Sequence, residues 1–157
     1  MGNFCLPETT KIVEAITPQA GAAITGDYVS LKNVHMAYVI VHIAQAAVNT
    51  VAITIEQATN VAMAGTTAIT VAVPIWANED CATSDTLVRQ TDAVSFTTSA
   101  AQKHKVIVFQ VDPATLAAGF DCIGVKTGAS DGTNLTSAIY VLLERYQADQ
   151  PPSAIID

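Results

Sequence analysis

Charged residues are scarce in this chain, and they are absent from two long segments whose apolar residues alternate as they do in β-strands. No Asp, Glu, Lys or Arg occurs within residues 33–55 or within residues 57–78. Of all residues, 50% are hydrophobic and only 13% are charged, whereas about a quarter are charged in a typical soluble domain. Because a monomeric domain turns a polar face to water on most of its strands, this composition indicates a surface that contacts a partner.

The size and charge of the chain restrict its class. At 157 residues it has the length of one domain that buries a full core without metal or disulfide support. The net charge is −7, and the seven Lys and Arg residues are too few to neutralise a nucleic-acid backbone. Segment 33–55 is long enough to span a bilayer, but polar residues such as His35, Gln45 and Asn49 interrupt it. We therefore expect neither nucleic acid nor a membrane among the partners.

No arrangement of residues indicates catalysis, a cofactor or a metal. The three cysteines, Cys5, Cys81 and Cys122, form no CxxC pair, and Cys122 is expected to be a small buried residue. His35 and His42 are seven residues apart, a spacing that predicts opposite faces of a strand. The glycines form no phosphate-binding loop, and no serine lies in a nucleophile elbow. We therefore expect a protein that is not an enzyme and has no catalytic, cofactor-binding or metal-binding residues.

Alternating runs recur along the chain, with turn-forming residues between them. Val34–Ala44 is apolar on both faces, with Val34, Met36, Tyr38 and Ile40 on one face. The predicted strands are residues 10–17, 28–31, Val34–Ala44, 51–56, 69–76, 94–98, 106–111, 120–126 and 136–145. Short helical turns are expected within residues 56–64 and 113–119, the second with Gly119 as its C-terminal stop.

This pattern predicts an all-β fold, an antiparallel β-sandwich with one or two short helical turns. One or two long crossover loops favour a jelly-roll-like arrangement over an immunoglobulin-like one, whose Cys…Trp…Cys spacing is absent. The expected organisation is an N-terminal arm with the first strand in residues 1–20, a single β-sandwich domain in residues 21–147, and a Pro-containing C-terminal arm in residues 148–157.

Four residues of the domain are candidates for contact with a partner. Tyr38, Ile40 and His42 lie on the strand that is apolar on both faces. Trp76 follows Pro74, at which a strand must end or lie at a sheet edge. It is expected either to cap the core at one end of the sandwich or to anchor a contact between subunits, where tryptophan is enriched.

The C-terminal arm supplies four further candidates: Pro151, Pro152, Ile155 and Ile156. Apolar residues after two prolines gain nothing by remaining in solvent. The arm is therefore expected to dock on a neighbouring subunit or to pack on its own domain.

Three stretches resemble small structural proteins of tailed bacteriophages. They are residues 28–42, residues 73–98, which begin Val-Pro-Ile-Trp-Ala-Asn, and residues 120–155, which begin Phe-Asp-Cys-Ile-Gly-Val. The resemblance extends from about residue 20 to the C-terminus. It implies a jelly-roll head decoration, or cement, protein that sits as a trimer on the capsid shell, and it carries over no catalytic residues.

The leading hypothesis is a non-enzymatic capsid decoration protein that binds the outer head shell as a homo-oligomer, expected to be a trimer, and stabilises the shell. Its partners would be its own copies and the major capsid protein. It would reside in the phage head after assembly in the host bacterial cytoplasm. One alternative is a ring component of the neck or tail, which needs few copies per particle. The other is a carbohydrate-binding jelly-roll module, which would expose aromatic side chains as a platform.

Overall fold

A computed structural model describes residues 5–145, and the fold within them is a sandwich of two antiparallel sheets. In chain order the strands are β1 (Thr10–Ala20), β2 (Thr25–Ser30), β3 (Val34–Ala44), β4 (Ala52–Ala58), β5 (Thr67–Ala68), β6 (Ile75–Asn78), β7 (Val88–Arg89), β8 (Ser95–Thr97), β9 (His104–Val111), β10 (Cys122–Thr127) and β11 (Leu135–Glu144). A short helix, α1 (Leu6–Thr9), precedes β1, and a 3-10 helix (Pro113–Thr115) follows β9. The predicted all-β antiparallel sandwich is confirmed.

The strand order interleaves the two halves of the chain as a jelly roll does. The six-stranded sheet has the order β1-β11-β3-β9-β6-β7, and the five-stranded sheet consists of β2-β10-β4-β5 with β8 also paired to β4. Successive strands from β1 to β4, and again from β9 to β11, alternate between the sheets. The excursion from β5 to β8 adds β6 and β7 to the six-stranded sheet beyond β9.

The core lies between the sheets and is built by the inward set of each alternating strand. On β3 the inward residues Ala37, Val39, Val41 and Ile43 are all fully buried. They meet inward residues of the facing sheet, including Ile53, Ile55, Ile123 and Val125. Every second side chain of these strands points inward, and the inward side chains, many of them β-branched, pack between the two sheets.

A bulge near the start of β3 breaks the strict alternation. Leu143 pairs with Met36, but Glu144 pairs with Val34, so that His35 is left out of the ladder. Val34 is consequently buried and does not share the face of Met36, contrary to the predicted alternation. His35 and His42 are both exposed, so the prediction of opposite faces, which assumed an uninterrupted strand, is wrong.

Two further expectations differ from the structure. Residues 56–64 form no helical turn, because β4 continues to Ala58 and turns follow, while the helix at Leu6–Thr9 was not predicted. The predicted strand 69–76 is interrupted: Ile69, Val73 and Ile75 are buried, but Val71 is exposed, and β6 begins only after Pro74. The turn at Pro113 is confirmed as a 3-10 helix, but it ends at Thr115, before Gly119.

Within residues 5–145, no helix has the length and apolar character that crossing a membrane requires.

Candidate interaction surface

The side of the six-stranded sheet that faces away from the core is predominantly apolar along its centre. Its outward side chains come from five neighbouring strands, and we call this surface the apolar face. It comprises Ile12 of β1, Ile139, Val141 and Leu143 of β11, Met36, Tyr38 and Ile40 of β3, Val106 and Val108 of β9, and Trp76 of β6. Ile12 is 46% exposed and Ile139 is 39% exposed, although a sheet with one solvated face normally presents polar residues there.

The strand register places the central residues of the apolar face side by side. Ile139 pairs with Ile40, Ile40 with Val108, and Val108 with Trp76. Directly opposed residues of neighbouring strands lie about 5 Å apart, so these four side chains form one continuous row across the sheet. We call it the central row.

A groove of about 370 Å³ lies on the apolar face towards the end at which α1 meets the sheet. Its lining comes from Leu6, Thr10, Tyr38, Ile40, Val108, Val141 and Leu143. Leu6 is 41% exposed, so the helix extends the apolar surface beyond the strands.

Trp76 lies on the apolar face, and the side chain of Arg89 covers one side of its ring. It is half-buried on the outward side of β6, and the Arg89 guanidinium lies 4.8 Å from the centroid of its ring. Arg89 also forms an ion pair with Asp92 and donates hydrogen bonds to two backbone carbonyl groups. The indole therefore does not cap the core, and a cation–π contact occupies one of its faces.

The opposite end of the apolar face carries two histidines. His42 of β3 and His104 of β9 are both exposed, and their rings stack with centroids 5.8 Å apart. Among residues 5–145 there is no group of three or more His, Cys, Asp and Glu side chains that could hold a metal ion.

The structure brings together those predicted contact residues that it describes. Tyr38, Ile40, His42 and Trp76 all belong to the outward side of one sheet. Pro151, Pro152, Ile155 and Ile156 lie outside the described residues. Ile12, Val108 and Ile139 also belong to this surface, although the sequence did not indicate them as contact residues. Alternation indicated that Ile139 shares a face with Val141 and Leu143, but not which face is covered.

At the end of the core near His104, a buried lysine is held in a polar cluster. Lys105 is fully buried, and its Nζ donates hydrogen bonds to the carbonyl oxygen of Ser99 (2.7 Å) and to its Oγ (3.0 Å). Glu79 lies 3.7 Å from Nζ. Gln45 donates to the same Ser99 carbonyl and accepts from Thr98. Burial lowers the pKa of Lys105, and the charge of Glu79 partly opposes that shift.

A second cluster lies on the outer side of the five-stranded sheet. The Tyr28 hydroxyl donates a 2.5 Å hydrogen bond to Glu56, whose carboxylate is 3.7 Å from Lys126. Burial, and then Glu56, raise the pKa of Tyr28. The Tyr28 ring covers Gly124, where any Cβ would collide with it.

Cys122, on the strand beside Tyr28, is buried as predicted. Burial first, and the neighbouring Asp121 second, raise the pKa of its thiol to about 12. Because the thiolate is the nucleophilic form, this cysteine is suited to packing and not to catalysis. Lys105, Tyr28 and Cys122 are all enclosed by the fold, so none of them offers a group to a substrate in solvent.

Comparison with known proteins adds a structural neighbour but no family. No protein-family model matches the chain, and no curated protein matches it. The fold is similar to the crystal structure of SPBc2 prophage-derived protein YomS, with a TM-score of 0.48 and 13% sequence identity over 85% of this chain and 92% of that chain. A similarity at this level carries no information about function.

Proposed function

We propose that this chain is a non-enzymatic bacteriophage capsid decoration protein that binds the outer head shell as a homo-oligomer and stabilises it. The observation that carries the proposal is the apolar face, because an apolar sheet surface is costly in water and is typical of a surface covered in an assembly. The assignment to a phage head rests on the resemblance of residues 28–42, 73–98 and 120–155 to virion proteins. That resemblance also implies a trimer.

The edges of the six-stranded sheet are poorly suited to joining copies, which favours the apolar face as the contact surface. β1 forms one edge, and its pairing register shifts between Glu14 and Ile16 and again between Ile16 and Gln19. Pro18 within it has no N–H to donate to a neighbouring strand. β7, at the other edge, has only two residues. Bulges, prolines and very short edge strands are the features by which natural sheets avoid pairing edge to edge.

On a head shell the protein would act mechanically. Modest contacts that repeat around the shell together resist the pressure of packaged DNA. The apolar face would hold copies of the decoration protein to one another, and the C-terminal arm with Pro151, Pro152, Ile155 and Ile156 would contact the major capsid protein. The net charge of −7 disfavours contact with DNA. Assembly would take place in the host bacterial cytoplasm, with the mature protein on the head of the virion.

The two alternatives make different demands. A ring component of the neck or tail would use the same apolar face, but in few copies per particle. A carbohydrate-binding module needs an accessible aromatic platform, whereas Arg89 lies over the ring of Trp76. Glycan binding that is lost on Trp76→Ala would favour the carbohydrate-binding module over decoration.

The test is the number of copies of this chain in each purified phage particle, measured by quantitative mass spectrometry against the major shell protein. Decoration predicts hundreds of copies, comparable with the shell subunit. Particles stripped of the protein should then break at a lower temperature than complete ones. A handful of copies would assign the protein to the neck or tail, and no copies would overturn a virion role.

A further inference from the structure

The central row of the apolar face ends in opposite charges. Glu14 of β1 pairs with Ile139 at one end of the row, and Arg89 of β7 pairs with Trp76 at the other. Both charged side chains are exposed. Glu14 accepts a hydrogen bond from Thr17, and Arg89 keeps its ion pair with Asp92. An apolar strip thus runs across the sheet from Glu14 to Arg89, which is paired with Asp92.

We propose that two copies pack with their apolar faces against each other. The two-fold axis of this pair is parallel to the strands and passes midway between β3 and β9. This deepens the proposed function, since it gives the oligomer its contact surface and its symmetry. A rotation of 180° about this axis reverses the strand order of the second copy, so that β1 of one copy lies opposite β7 of the other. The central row then meets itself reversed: Ile40 faces the partner's Val108, and Trp76, with Arg89 over one face of its ring, lies opposite the partner's Ile139.

Charge selects this axis over the other one that a flat face allows. Under the proposed rotation, Glu14 faces the partner's Arg89, and the symmetry repeats this pair at the opposite edge. An axis that ran across the strands would instead set β1 over β1, with Glu14 opposite the partner's Glu14. Opposed like charges disfavour that arrangement. Glu14 therefore lies opposite a positively charged side chain, Arg89, only when the second copy is reversed.

The outward side of the six-stranded sheet is large enough to pack against a second copy of the chain. With strands about 4.8 Å apart and a rise of about 3.4 Å per residue, the face of the five longer strands measures roughly 700 Å². A standard stable interface buries about 800 Å² on each partner. Sheets pack face to face with their strands within about 30° of one another, so the side chains of two such rows would interdigitate as they do in a sandwich core.

This contact has a consequence for the number of copies. When the same surface of each partner forms the contact, both surfaces are used up in a pair, and this contact cannot add a third copy. The trimer that the resemblance implies would then occur only as half of a six-copy particle, with a different surface around the three-fold axis. The predicted mass in solution is that of two or of six chains.

Outward-facing substitutions in the two sheets test the pairing. Ile40→Asp places a charge at the centre of the apolar face, and Thr54→Asp places the same charge on the outward side of β4 in the other sheet. By light scattering and native mass spectrometry, we expect wild type and Thr54→Asp to contain two or six copies, and Ile40→Asp half or fewer of those copies. Circular dichroism should show the same fold in all three. A monomeric or trimeric wild type, or a folded Ile40→Asp that keeps its mass, would overturn the proposal.

Charge reversal tests the axis and does not depend on the fold tolerating a change at position 40. Glu14→Arg should weaken association about fivefold for each of its two pairs, as should Arg89→Glu. The double variant should recover most of the loss, because the pairs are re-formed with exchanged charges. If Glu14→Arg tightens the pair, or if the double variant is weaker than either single one, the proposed axis is wrong.

The failure of this inference can be told from the failure of the proposed function. A protein that pairs in solution as described but is missing from purified virions would uphold the pairing and overturn decoration. Hundreds of copies per virion, together with a monomeric free protein and normal decoration by Ile40→Asp, would uphold decoration and overturn the pairing.

Discussion

At the scale of single residues, two neighbours on β3 face opposite surroundings although both are branched and apolar. Val41 is fully buried between the sheets, whereas Ile40 is half-buried on the apolar face. Successive side chains of a strand point to opposite sides, so a carboxylate at position 41 would enter the core, while one at position 40 would remain at the surface. For this reason Ile40 reports on association separately from folding, and Val41 does not.

A glycine on β10 is required by its neighbour on β2. Gly124 pairs with Tyr28, and the aromatic ring lies where a Cβ at position 124 would be. The ring is held there by the hydrogen bond from its hydroxyl to Glu56 and is almost fully buried. The absence of a side chain therefore lets an aromatic residue cover the outer side of the five-stranded sheet.

Gly124→Ala is expected to destabilise the protein by about 1–3 kcal/mol, the usual cost of overpacking a filled site. Gly132→Ala is the matched control, because a Cβ there would meet no heavy atom within 4 Å. Urea unfolding of both variants measures the difference. Equal stability of the two variants would mean that the ring of Tyr28 moves aside at no cost.

At the scale of elements, a lysine near the start of β9 is buried in the core, beneath the loop that follows β8. The hydrogen bonds from Lys105 to Ser99 hold that loop against the sheet, and Glu79 supplies the nearby negative charge from the end of β6. Lys105 is buried, whereas the Glu79 side chain is 32% exposed. Leaving a buried charge without its partner generally costs more than replacing that charge by an apolar group. The two members should therefore respond differently to substitution.

Glu79→Gln is expected to lower the melting temperature, because the buried ammonium group loses its compensating charge. Lys105→Met should leave the melting temperature unchanged or raise it, since methionine fills the space without a charge. Calorimetry of the two variants and wild type makes the comparison. A larger loss in Lys105→Met would show that the hydrogen bonds to Ser99 outweigh the cost of burying the charge.

The same pair has a predicted pH dependence. The pKa of Lys105 is lower in the native protein than in the unfolded chain, so the unfolded chain binds more protons at pH values between the two. The stability of wild type relative to Lys105→Met should rise as the pH increases through that interval towards about 10.4. Urea unfolding at neutral and mildly alkaline pH measures it, and a fall in the relative stability would contradict the expectation.

Alternation of apolar residues predicted the longest strands of the sheet. The bounds of Val34–Ala44 agree with the structure, because apolar residues occupy both of its faces at every position except His35 and His42. The stretch from residue 59 to residue 74 was less predictable, since small and β-branched residues there suit a strand, a turn or an irregular segment equally well. The bulge at His35 could not be predicted from the local sequence pattern, because it depends on how β11 pairs with β3.

The candidate surface was predicted in part, for a related reason. The apolar pattern marked Tyr38 and Ile40 as contact residues, but the position of Trp76 beside Val108 follows from the order β11-β3-β9-β6. That order arises from pairings between strands far apart in the sequence. The central row and its charged ends could therefore be recognised only once the register was known.

At the scale of the whole molecule, the jelly roll leaves both ends of the described chain at one end of the six-stranded sheet. Thr10 of β1 pairs with Leu143 of β11, close to the groove between α1 and β3. Thr10 and Leu143, close to the first and last described residues, are therefore neighbours in the sheet.

Deletion of residues 150–157 is expected to leave the fold intact and to weaken attachment to the capsid. The strands of the described residues all lie between Thr10 and Glu144, and the apolar residues of the deleted segment are expected to dock on another molecule. Cosedimentation of the variant with undecorated shells measures the loss, and full-length Ile155→Ser/Ile156→Ser should reproduce it. A deletion variant that coats shells normally would show that the arm is not needed for attachment.

The bulged, proline-containing edge strand also bears on how a concentrated solution of this protein should behave. A long regular strand at the edge of a sheet invites endless polymerisation, in which each added molecule offers the next one a fresh template. The bulges and the proline of β1 interrupt that template, and the proposed contact between faces buries the apolar surface in each pair. If the proposed pairing holds, concentrated solutions of the protein should contain small closed particles and no fibres or gels, which light scattering and electron microscopy would show.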